Sequence, residues 1–215
     1  MNGSDKKVPA VVINRLPRYY RYLSDLLNQD VTRISSNALS EKMNVTASQI
    51  RQDFNYFGGF GQQGYGYNVE YLHGEIGKIL GLKDGNTMII VGAGNLGKAL
   101  ASHDTFKKRG FKLVGLFDND ENVIGSEING VKILSVDDLE KFLAENRVDI
   151  GIITVPQSAA VETAEKLVGA GVKGLLNFSY MELKINGDAA VENVHLSDPL
   201  MTLSYRIKQL KQENK

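Results

Sequence analysis

The amino-acid sequence predicts an α/β fold with a doubly wound parallel sheet, preceded by a helical module and followed by a terminal helix. Two patterns support this prediction. Before Gly81 the apolar residues recur at helical spacing, whereas after Gly85 short β-rich runs alternate with helical segments. The change of pattern divides the chain into predicted domains at 1–82 and 83–196, with a separate C-terminal helix over 197–215.

The composition narrows the possible functions. With 215 residues, 42% of them hydrophobic, the chain has room for one or two domains but not for a cofactor domain plus a full substrate domain. It has no cysteine, which excludes disulfides, thiolate metal sites and cysteine nucleophiles. The sequence contains neither a signal-peptide pattern nor a membrane-spanning apolar run. We therefore expect a cytoplasmic protein without a membrane partner, and we predict no metal site.

The first long helix is predicted from an apolar stripe, with Pro17 either kinking it or marking its first turn. The stripe consists of Ile13, Leu16, Tyr20, Leu23 and Leu27. Residues 1–52 carry eight lysines and arginines against four aspartates and glutamates, on a chain with no net charge. This asymmetry is a weak indication of a polyanionic partner.

A helix-turn-helix is predicted next. Ser35 or Ser36 begins a helix that ends near Met43, and Thr46 begins a second helix after a short turn. Gln49, three residues after Thr46, completes the pattern of a capping box. On the second helix the predicted apolar face is formed by Ala47, Ile50, Phe54 and Phe57, and the opposite face by Ser48, Arg51, Gln52 and Asn55.

The polar face of this second helix suits DNA recognition. Arginine pairs with guanine in the major groove, and asparagine or glutamine pairs with adenine. The alternative is an ordinary solvated helix face. The glycine-rich segment 58–67, with interleaved aromatic residues, predicts a β-hairpin that would act as a wing. This wing would lie along the DNA phosphates or in the minor groove, with Tyr65 near its tip and Gly64 and Gly66 beside it. A flexible linker is the alternative, and the absence of a following Lys-Ser/Thr excludes a P-loop.

A dinucleotide-binding motif begins at Gly92. The run Gly92-Ala93-Gly94-Asn95-Leu96-Gly97 fits G-x-G-x-x-G, follows an apolar strand and opens a helix, as in Rossmann domains. Asp118 ends the second strand, where a carboxylate binds the adenosine ribose hydroxyls. Because Asn119 and Asp120 supply no arginine for a 2′-phosphate, we expect NAD(H) rather than NADP(H).

The remaining elements complete the predicted parallel sheet, with Gly110 and Gly171 ending two helices. Ligands bind at the carboxyl ends of such strands, so Thr154, Val155, Pro156, Asn177 and Phe178 are the candidates for contacting the nicotinamide half. The predicted strands cover 87–91, 112–118, 131–134, 149–154 and 173–177, and the predicted helices cover 96–109, 136–146 and 158–170.

The C-terminal helix is predicted to begin at Ser197-Asp198-Pro199, with proline in its first turn. It carries an apolar stripe of Leu200, Leu203, Ile207 and Leu210. Such a stripe is buried either on the helix's own domain or in a partner subunit, and the pattern alone leaves both open.

Because a cofactor-binding domain is predicted, the alternative function is that of an NAD-dependent oxidoreductase with an N-terminal helical appendage. Against it, no second catalytic domain is predicted, and His73, His103 and His195 have no evident acid–base partner in the sequence. Tyr180 and Lys184 match Y-x-x-x-K of short-chain dehydrogenases, but they follow a predicted strand instead of lying on a long helix. We therefore predict a protein that is not an enzyme and has no catalytic residues.

These motifs, taken in order over nearly the whole chain, resemble those of the Rex family of redox-sensing repressors. The resemblance implies a homodimer that binds palindromic operator DNA through winged helices, is released by NADH, and exchanges its C-terminal helix between subunits. NADH and NAD⁺ would be effector ligands that select between dimer geometries. The segments that carry the resemblance are Gln49–Gly58, Gly61–Tyr67, Val91–Gly97, Phe117–Asp118, Thr154–Pro156, Gly174–Phe178 and Val191–Val194.

Some positions depart from what the resemblance leads us to expect. Gln52 stands where lysine is expected and Asn55 where serine is expected. His103 and His195 replace a tyrosine and an aspartate that, with an arginine matching Arg21, form a ligand-sensitive contact between domains in relatives. We expect these three residues either to form a neutral-histidine switch or to leave the switch to other residues, with solvated histidines as the alternative.

Overall fold

The computed structural model describes residues 8–62, 65–186 and 188–213. The chain divides into two compact units, Met1–Asp84 and Gly85–Lys215. None of the helices within the three described ranges has the length and apolar character that crossing a lipid bilayer requires.

The first unit is a helical module with a small antiparallel sheet, as in winged helix-turn-helix domains. The sheet has the order β1-β3-β2, and its β2–β3 pair forms the hairpin predicted from the glycine-rich segment. The elements are α1 (Ala10–Ile13), α2 (Leu16–Leu27), β1 (Arg33–Ile34), α3 (Ser36–Met43), α4 (Ala47–Asn55), β2 (Gly61–Gln62), β3 (Gly66–Asn68) and α5 (Val69–Ile79).

The start of helix α2 is marked by a proline. Pro17 lies in its first turn, so the interpretation of a helix start at this residue is confirmed. The predicted stripe was displaced: the buried residues of α2 are Leu16, Tyr19, Leu23 and Leu26. Tyr20 is half-buried, and Ile13, which is exposed, belongs to α1 and not to α2.

The second unit is a doubly wound sheet of seven strands in the order β10-β9-β8-β4-β5-β7-β6. All pairs are parallel except β6–β7, and β4 is central, so the chain winds first to one side of β4 and then to the other. The strands are β4 (Thr87–Val91), β5 (Lys112–Asp118), β6 (Glu127–Ile128), β7 (Val131–Ser135), β8 (Ile150–Ile153), β9 (Gly174–Asn177) and β10 (Ala190–Asn193).

The helices of this unit are α6 (Asn95–Ala101), α7 (Asp104–Lys108), α8 (Leu139–Glu145), α9 (Gln157–Gly169) and α10 (Ser197–Glu213). The single helix predicted over 96–109 is wrong, because His103 has an extended backbone and caps α7 by accepting a hydrogen bond from Thr105 N at Nδ1 over 3.3 Å. The strands β6 and β10 were not predicted. Gly110 and Gly171 follow α7 and α9 with positive φ, as predicted for helix ends.

Helix α10 runs for 17 residues without one buried side chain. The predicted stripe is present but uncovered: its leucines and isoleucine are between 43% and 68% exposed. Docking of this stripe on the helix's own domain, one of the two predicted alternatives, is therefore wrong for the described part of the chain. Across residues 188–213, the apolar side chains of this stripe therefore remain largely exposed.

Candidate nucleic-acid interface and dinucleotide site

The helix-turn-helix forms as its caps predict. Ser35 Oγ accepts a hydrogen bond from Ala38 N at the start of α3 over 3.0 Å, and Thr46 Oγ1 accepts one from Gln49 N at the start of α4 over 3.1 Å. Asn44 links the two helices in the left-handed conformation, with φ 53°. The predicted helices and turn of this motif are confirmed.

The polar face of α4 points to solvent. Ile50 and Phe54 anchor the helix in the core, while Ala47 and Phe57 are only half-buried. Arg51 Nη1 donates a hydrogen bond to Ser36 Oγ at 2.9 Å, which holds the guanidinium beside the start of α3. The exposed side chains are the four predicted for DNA contact, Ser48, Arg51, Gln52 and Asn55.

A buried carboxylate lies behind this polar face. The Asp53 side chain is fully buried and accepts four hydrogen bonds, from Arg15 Nε at 2.6 Å, Arg15 Nη2 at 2.7 Å, Tyr19 OH at 2.7 Å and Gln49 Nε2 at 2.9 Å. Burial raises the pKa of Asp53, but the bonds from Arg15, Tyr19 and Gln49 outweigh burial and leave that pKa below its ordinary value. Burial, aided by Asp53, raises the pKa of Tyr19.

The same bonds change the predicted capping box. Only its first half is present as predicted, the bond from Gln49 N to Thr46. The Gln49 amide nitrogen donates to Asp53 Oδ1 one turn further along α4. A buried carboxylate one turn away is a stronger acceptor for this side chain than the predicted arrangement could offer.

The wing is held by its glycine and by an arginine. Gly66 has φ +68°, and a Cβ there would lie 2.7 Å from the carbonyl oxygen of Ile34, so a larger residue would push the hairpin away from β1. Arg33 Nη1 donates to the Tyr65 carbonyl at 3.2 Å, and the Tyr65 side chain is 72% exposed. The predicted contact at Gly64 lies outside the described residues.

In the second unit the predicted dinucleotide residues lie at one edge of the sheet. They follow the carboxyl ends of four adjacent strands, β5, β4, β8 and β9. Hydrogen bonds connect these strand ends: Gly92 N donates to Phe117 O at 2.8 Å, Thr154 N to Val91 O at 2.9 Å, and Phe178 N to Ile153 O at 2.9 Å. The winding of the chain reverses between β4 and β8, which is where doubly wound sheets bind ligands.

The three glycines of the motif have distinct surroundings. Gly92 has φ +104°, and a Cβ there would lie 2.7 Å from the Thr154 backbone. A Cβ on Gly97 would overlap the Gly92 carbonyl oxygen, so this helix can approach the turn only with glycine. Gly94 is exposed and a Cβ there would meet nothing within 4 Å. The space beside Gly94 is therefore open to a ligand.

The side chain of Asp118 links the glycine turn to the loop after β5. Its Oδ2 accepts a hydrogen bond from Ala93 N at 2.5 Å, and its Oδ1 accepts one from Asp120 N at 2.9 Å. The carboxylate is only half-buried, and each oxygen keeps a lone pair for a ribose hydroxyl. One backbone N–H of the glycine turn, that of Ala93, is thus bonded to Asp118 instead of being free for a phosphate.

The side chains of Thr154 and Asn177, at the ends of two strands, hold the neighbouring loops in place. Thr154 Oγ1 donates to Gly92 O over 2.7 Å. The buried Asn177 amide nitrogen donates to Met181 O and to Asn193 Oδ1, both at 2.8 Å, and its oxygen accepts from Ser179. The Asn177 side chain therefore holds the following loop, and Val155, Pro156 and Phe178 supply the apolar surface of this edge.

The three predicted switch residues are spread over both units. Arg21 is exposed on α2. His103 caps α7 and lines a cavity of about 670 Å³ at the amino ends of β4, β5 and β7, opposite the dinucleotide edge. His195 is half-buried, and its carbonyl accepts from Asp198 N at the start of α10 over 3.2 Å. A contact among these three residues stays a prediction.

Two features of these sites were not predicted from the sequence: the carboxylate network of Asp53 and the Asn177–Asn193 pair. The burial of Asp53 could have been predicted from the sequence, because this residue lies between Ile50 and Phe54 on the apolar face of α4. A carboxylate in that position requires a cation or several donors, and Arg15 in the first basic segment was available. The amide pair carried no comparable signal, because strand β10 was not predicted.

Family models match both units. Residues 7–55 match the family “Putative DNA-binding protein N-terminus”, and residues 83–181 match the family “CoA binding domain”. The first match covers the helix-turn-helix and the helices before it, and the second covers the sheet from β4 to the loop after β9.

Full-length similarity extends over both units. The chain is 55% identical over 203 residues to the redox-sensing transcriptional repressor Rex of Thermoanaerobacter pseudethanolicus, covering 94% of this chain and 91% of the relative. It is 50% identical over 205 residues to the repressor of the same name from Clostridioides difficile, covering 95% and 98%.

Solved structures also match nearly the whole chain, and two of them hold nucleotides. The crystal structure of RSP with β-NAD⁺ and operator DNA aligns with a TM-score of 0.88 at 53% identity, covering 96% of this chain and 95% of the other. The crystal structure of RSP with β-NADH aligns with a TM-score of 0.88 at 50% identity, covering 98% and 100%.

Proposed function

The chain belongs to the Rex family of redox-sensing transcriptional repressors. On this basis we propose which of its residues contact DNA, which bind the nucleotide and which join the subunits. It is a DNA-binding repressor that responds to NADH and NAD⁺ as effector ligands, and it is not an enzyme. The site agrees with this: Tyr180 is 81% exposed in a non-helical loop, unlike the helical Y-x-x-x-K of a dehydrogenase.

We propose that α4 contacts operator bases in the major groove. The observation that supports this is the exposure of four base-compatible side chains on one face of a helix whose opposite face is fixed in the core. Arg51 and Asn55 are assigned to base edges, and Ser48 and Gln52 to bases or phosphates at the groove wall. Gly64, Tyr65 and Gly66 of the hairpin are assigned to the DNA backbone, as the wing.

We propose that the dinucleotide lies along the carboxyl edge of the second sheet. The pyrophosphate is assigned to the turn Gly92–Gly97 and the adenosine ribose to Asp118. The nicotinamide is assigned to Thr154–Pro156 and the segment Asn177–Phe178, where Val155, Pro156 and Phe178 are apolar. Oxidised nicotinamide carries a positive charge and the reduced ring does not, so an apolar surface favours NADH.

We propose that the protein is a homodimer in which α10 packs against the partner subunit. The exposed stripe Leu200, Leu203, Ile207 and Leu210 supports this, because a contiguous apolar surface on a soluble domain marks an interaction site. Two subunits would place two recognition helices on the half-sites of a palindromic operator, and NADH would select a dimer geometry in which that spacing is lost. We place this regulator in the cytoplasm, with the DNA and the nucleotide pool.

We further propose that Arg21, His103 and His195 form the contact that changes with the bound nucleotide. Two observations support this proposal. The guanidinium of Arg21 is exposed, and His103 presents a polar side chain at the start of α7. His195→Ala tests it: weaker release of operator DNA by NADH, with unchanged NADH affinity, is the expected result. An NADH response equal to that of the wild type would remove His195 from the switch.

A mobility-shift titration tests the function as a whole. A fluorescent palindromic Rex-type operator is bound by the protein, NADH is added until the complex dissociates, and NAD⁺ is then added in excess. Release by NADH and restoration by NAD⁺ are the expected results, because the two ligands compete for one site. Binding that responds to neither nucleotide would contradict the assigned ligand, and failure to bind the operator at all would contradict the assigned DNA interface.

A further inference from the structure

The carboxylate of Asp53 has all of its hydrogen-bonding capacity used inside the first unit. A carboxylate accepts about four hydrogen bonds, and Asp53 accepts four, two of them from the fork of one arginine. The donors Arg15 and Tyr19 belong to the start of α2, 38 and 34 residues away in the sequence. The network therefore joins α4 to another helix at a defined point.

Stability alone does not account for this network. Ile50 and Phe54 already anchor α4 through fully buried apolar side chains. A buried ion pair contributes little net stability, because desolvation of both charges offsets their attraction. Apolar contact is also non-directional, so it holds a helix in the core without fixing its rotation. Hydrogen bonds are directional and do fix it.

The rotation of α4 matters for DNA contact because of simple geometry. Side-chain tips lie about 6 Å from the axis of a helix, so a rotation of ~20° moves them by about 2 Å. Hydrogen bonds to base edges tolerate only a few tenths of an ångström beyond ~3 Å. A helix held by apolar contacts alone would therefore lose base contacts through rotations that the core permits.

We propose that Arg15 and Tyr19, acting through Asp53, are positioning residues that set the orientation of α4 on DNA and thereby its sequence specificity. This inference rests on the proposed function, since it assumes that α4 contacts bases. It assigns no DNA contact to Asp53 or Tyr19, which are buried. The specificity of the repressor thus depends on two side chains outside the helix-turn-helix.

The test uses two substitutions that keep every formal charge, Arg15→Lys and Tyr19→Phe. Lysine cannot form the two-pronged contact, and phenylalanine removes one donor while keeping the ring. Affinity is measured at one salt concentration for operator DNA and for a duplex of unrelated sequence and equal length. The control is Ile76→Val, which shortens a buried side chain of the same core on α5.

We expect both variants to lose about tenfold in operator affinity, the effect of one base contact, while affinity for the unrelated duplex changes less than about twofold. The control should lower the melting temperature and leave the ratio of the two affinities unchanged. In the background of Asn55→Ala, Tyr19→Phe should lower operator affinity by a smaller factor, because one of the contacts that it misaligns is already absent.

The possible results separate the two proposals. A wild-type protein that does not distinguish the operator from the unrelated duplex contradicts the proposed function itself. A wild type that distinguishes them, with variants that keep the same ratio, contradicts only the positioning role. If Arg15→Lys fails to fold, Tyr19→Phe decides the matter, since a variant that keeps the aromatic ring retains the apolar packing of Tyr19 against Phe54.

Discussion

The two units place their functional groups in opposite ways. In the first unit, polar side chains on α4 project to solvent. Behind them, the Asp53 carboxylate accepts four hydrogen bonds, three of which come from Arg15 and Tyr19 and join α4 to the start of α2.

In the second unit, Gly92 and Gly97 bring a turn and a helix together, Gly94 leaves space for a ligand, and the Asp118 carboxylate lies beside this turn. The first site depends on exposed side chains, whereas the second depends largely on a close approach of backbone that only glycine allows.

This difference predicts different responses to substitution. Removing a side chain from α4 should weaken function gradually, because the helix and its core contacts remain. Adding a methyl group to the glycine turn should act abruptly, because packed backbone cannot yield.

The largest effect is expected from Gly97→Ala. Its methyl group would overlap the Gly92 carbonyl oxygen, so the second unit should lose about 3 kcal/mol of unfolding free energy, together with NADH binding. Gly94→Ala is the matched comparison, since its methyl group meets nothing within 4 Å. It should unfold within about 0.5 kcal/mol of wild type but lose at least about tenfold in NADH affinity. Denaturant unfolding and fluorescence titration give both values, and equal destabilisation by the two alanines would contradict the assigned roles.

Arg51→Ala should lower operator affinity by about tenfold and relax sequence preference at one base pair of each half-site. The fold should remain, because Arg51 is exposed and bonds only to Ser36 within the described part of this unit. Arg18→Ala removes the same charge from an exposed position on α2 and serves as the control. Binding measured against a set of single-base operator variants separates the two, and equal losses without altered preference would show that only charge matters.

Asp118→Ala should lower NADH affinity by about tenfold, because a ribose hydroxyl loses a charged acceptor and Ala93 N loses its partner. Discrimination against NADPH should weaken as well, since the carboxylate no longer repels the 2′-phosphate. Asp120→Ala, two residues further on and exposed, is the control. Calorimetric titration with both nucleotides checks this, and unchanged affinity would place the ribose elsewhere.

The smallest effect is expected from acid. The pKa of Asp53 is lowered in the folded protein from an ordinary value of 3.8, so the carboxylate contributes stability that is complete above that value. This stability is lost as pH falls from about 4 through the folded pKa. Amide exchange of α4 followed between pH 6 and pH 3 should accelerate toward the lower end beyond the intrinsic pH dependence, and Asp53→Asn should flatten that excess. A slope that Asp53→Asn leaves unchanged would assign the acid sensitivity to other carboxylates.

Sequence patterns predicted most of this architecture because they are local. The caps at Ser35 and Thr46, the strand 112–118 and the turn Gly92–Gly97 each follow from neighbouring residues, and the structure places them as predicted. The four exposed residues of α4 follow from helical periodicity in the same way.

What could not be predicted depends on contacts between distant segments. Arg15 meets Asp53 across 38 residues, and no local pattern pairs them. Strand β10 exists only because β9 offers it a parallel edge, and Asn177 faces inward because Asn193 lies on that strand. The break between α6 and α7 at His103 was not predicted, because a histidine that caps a helix cannot be told in the sequence from a histidine within one.

The most direct test of the account is NADH-dependent release of operator DNA by Gly94→Ala, compared with the wild type and with Gly74→Ala as a control. We expect all three proteins to bind the operator equally, and we expect NADH to release the wild type and the control. Gly94→Ala should stay bound at NADH concentrations that release the wild type, and its release should require at least about tenfold more NADH. Release of Gly94→Ala at the wild-type concentration would show that the glycine turn does not hold the dinucleotide, and would contradict the account.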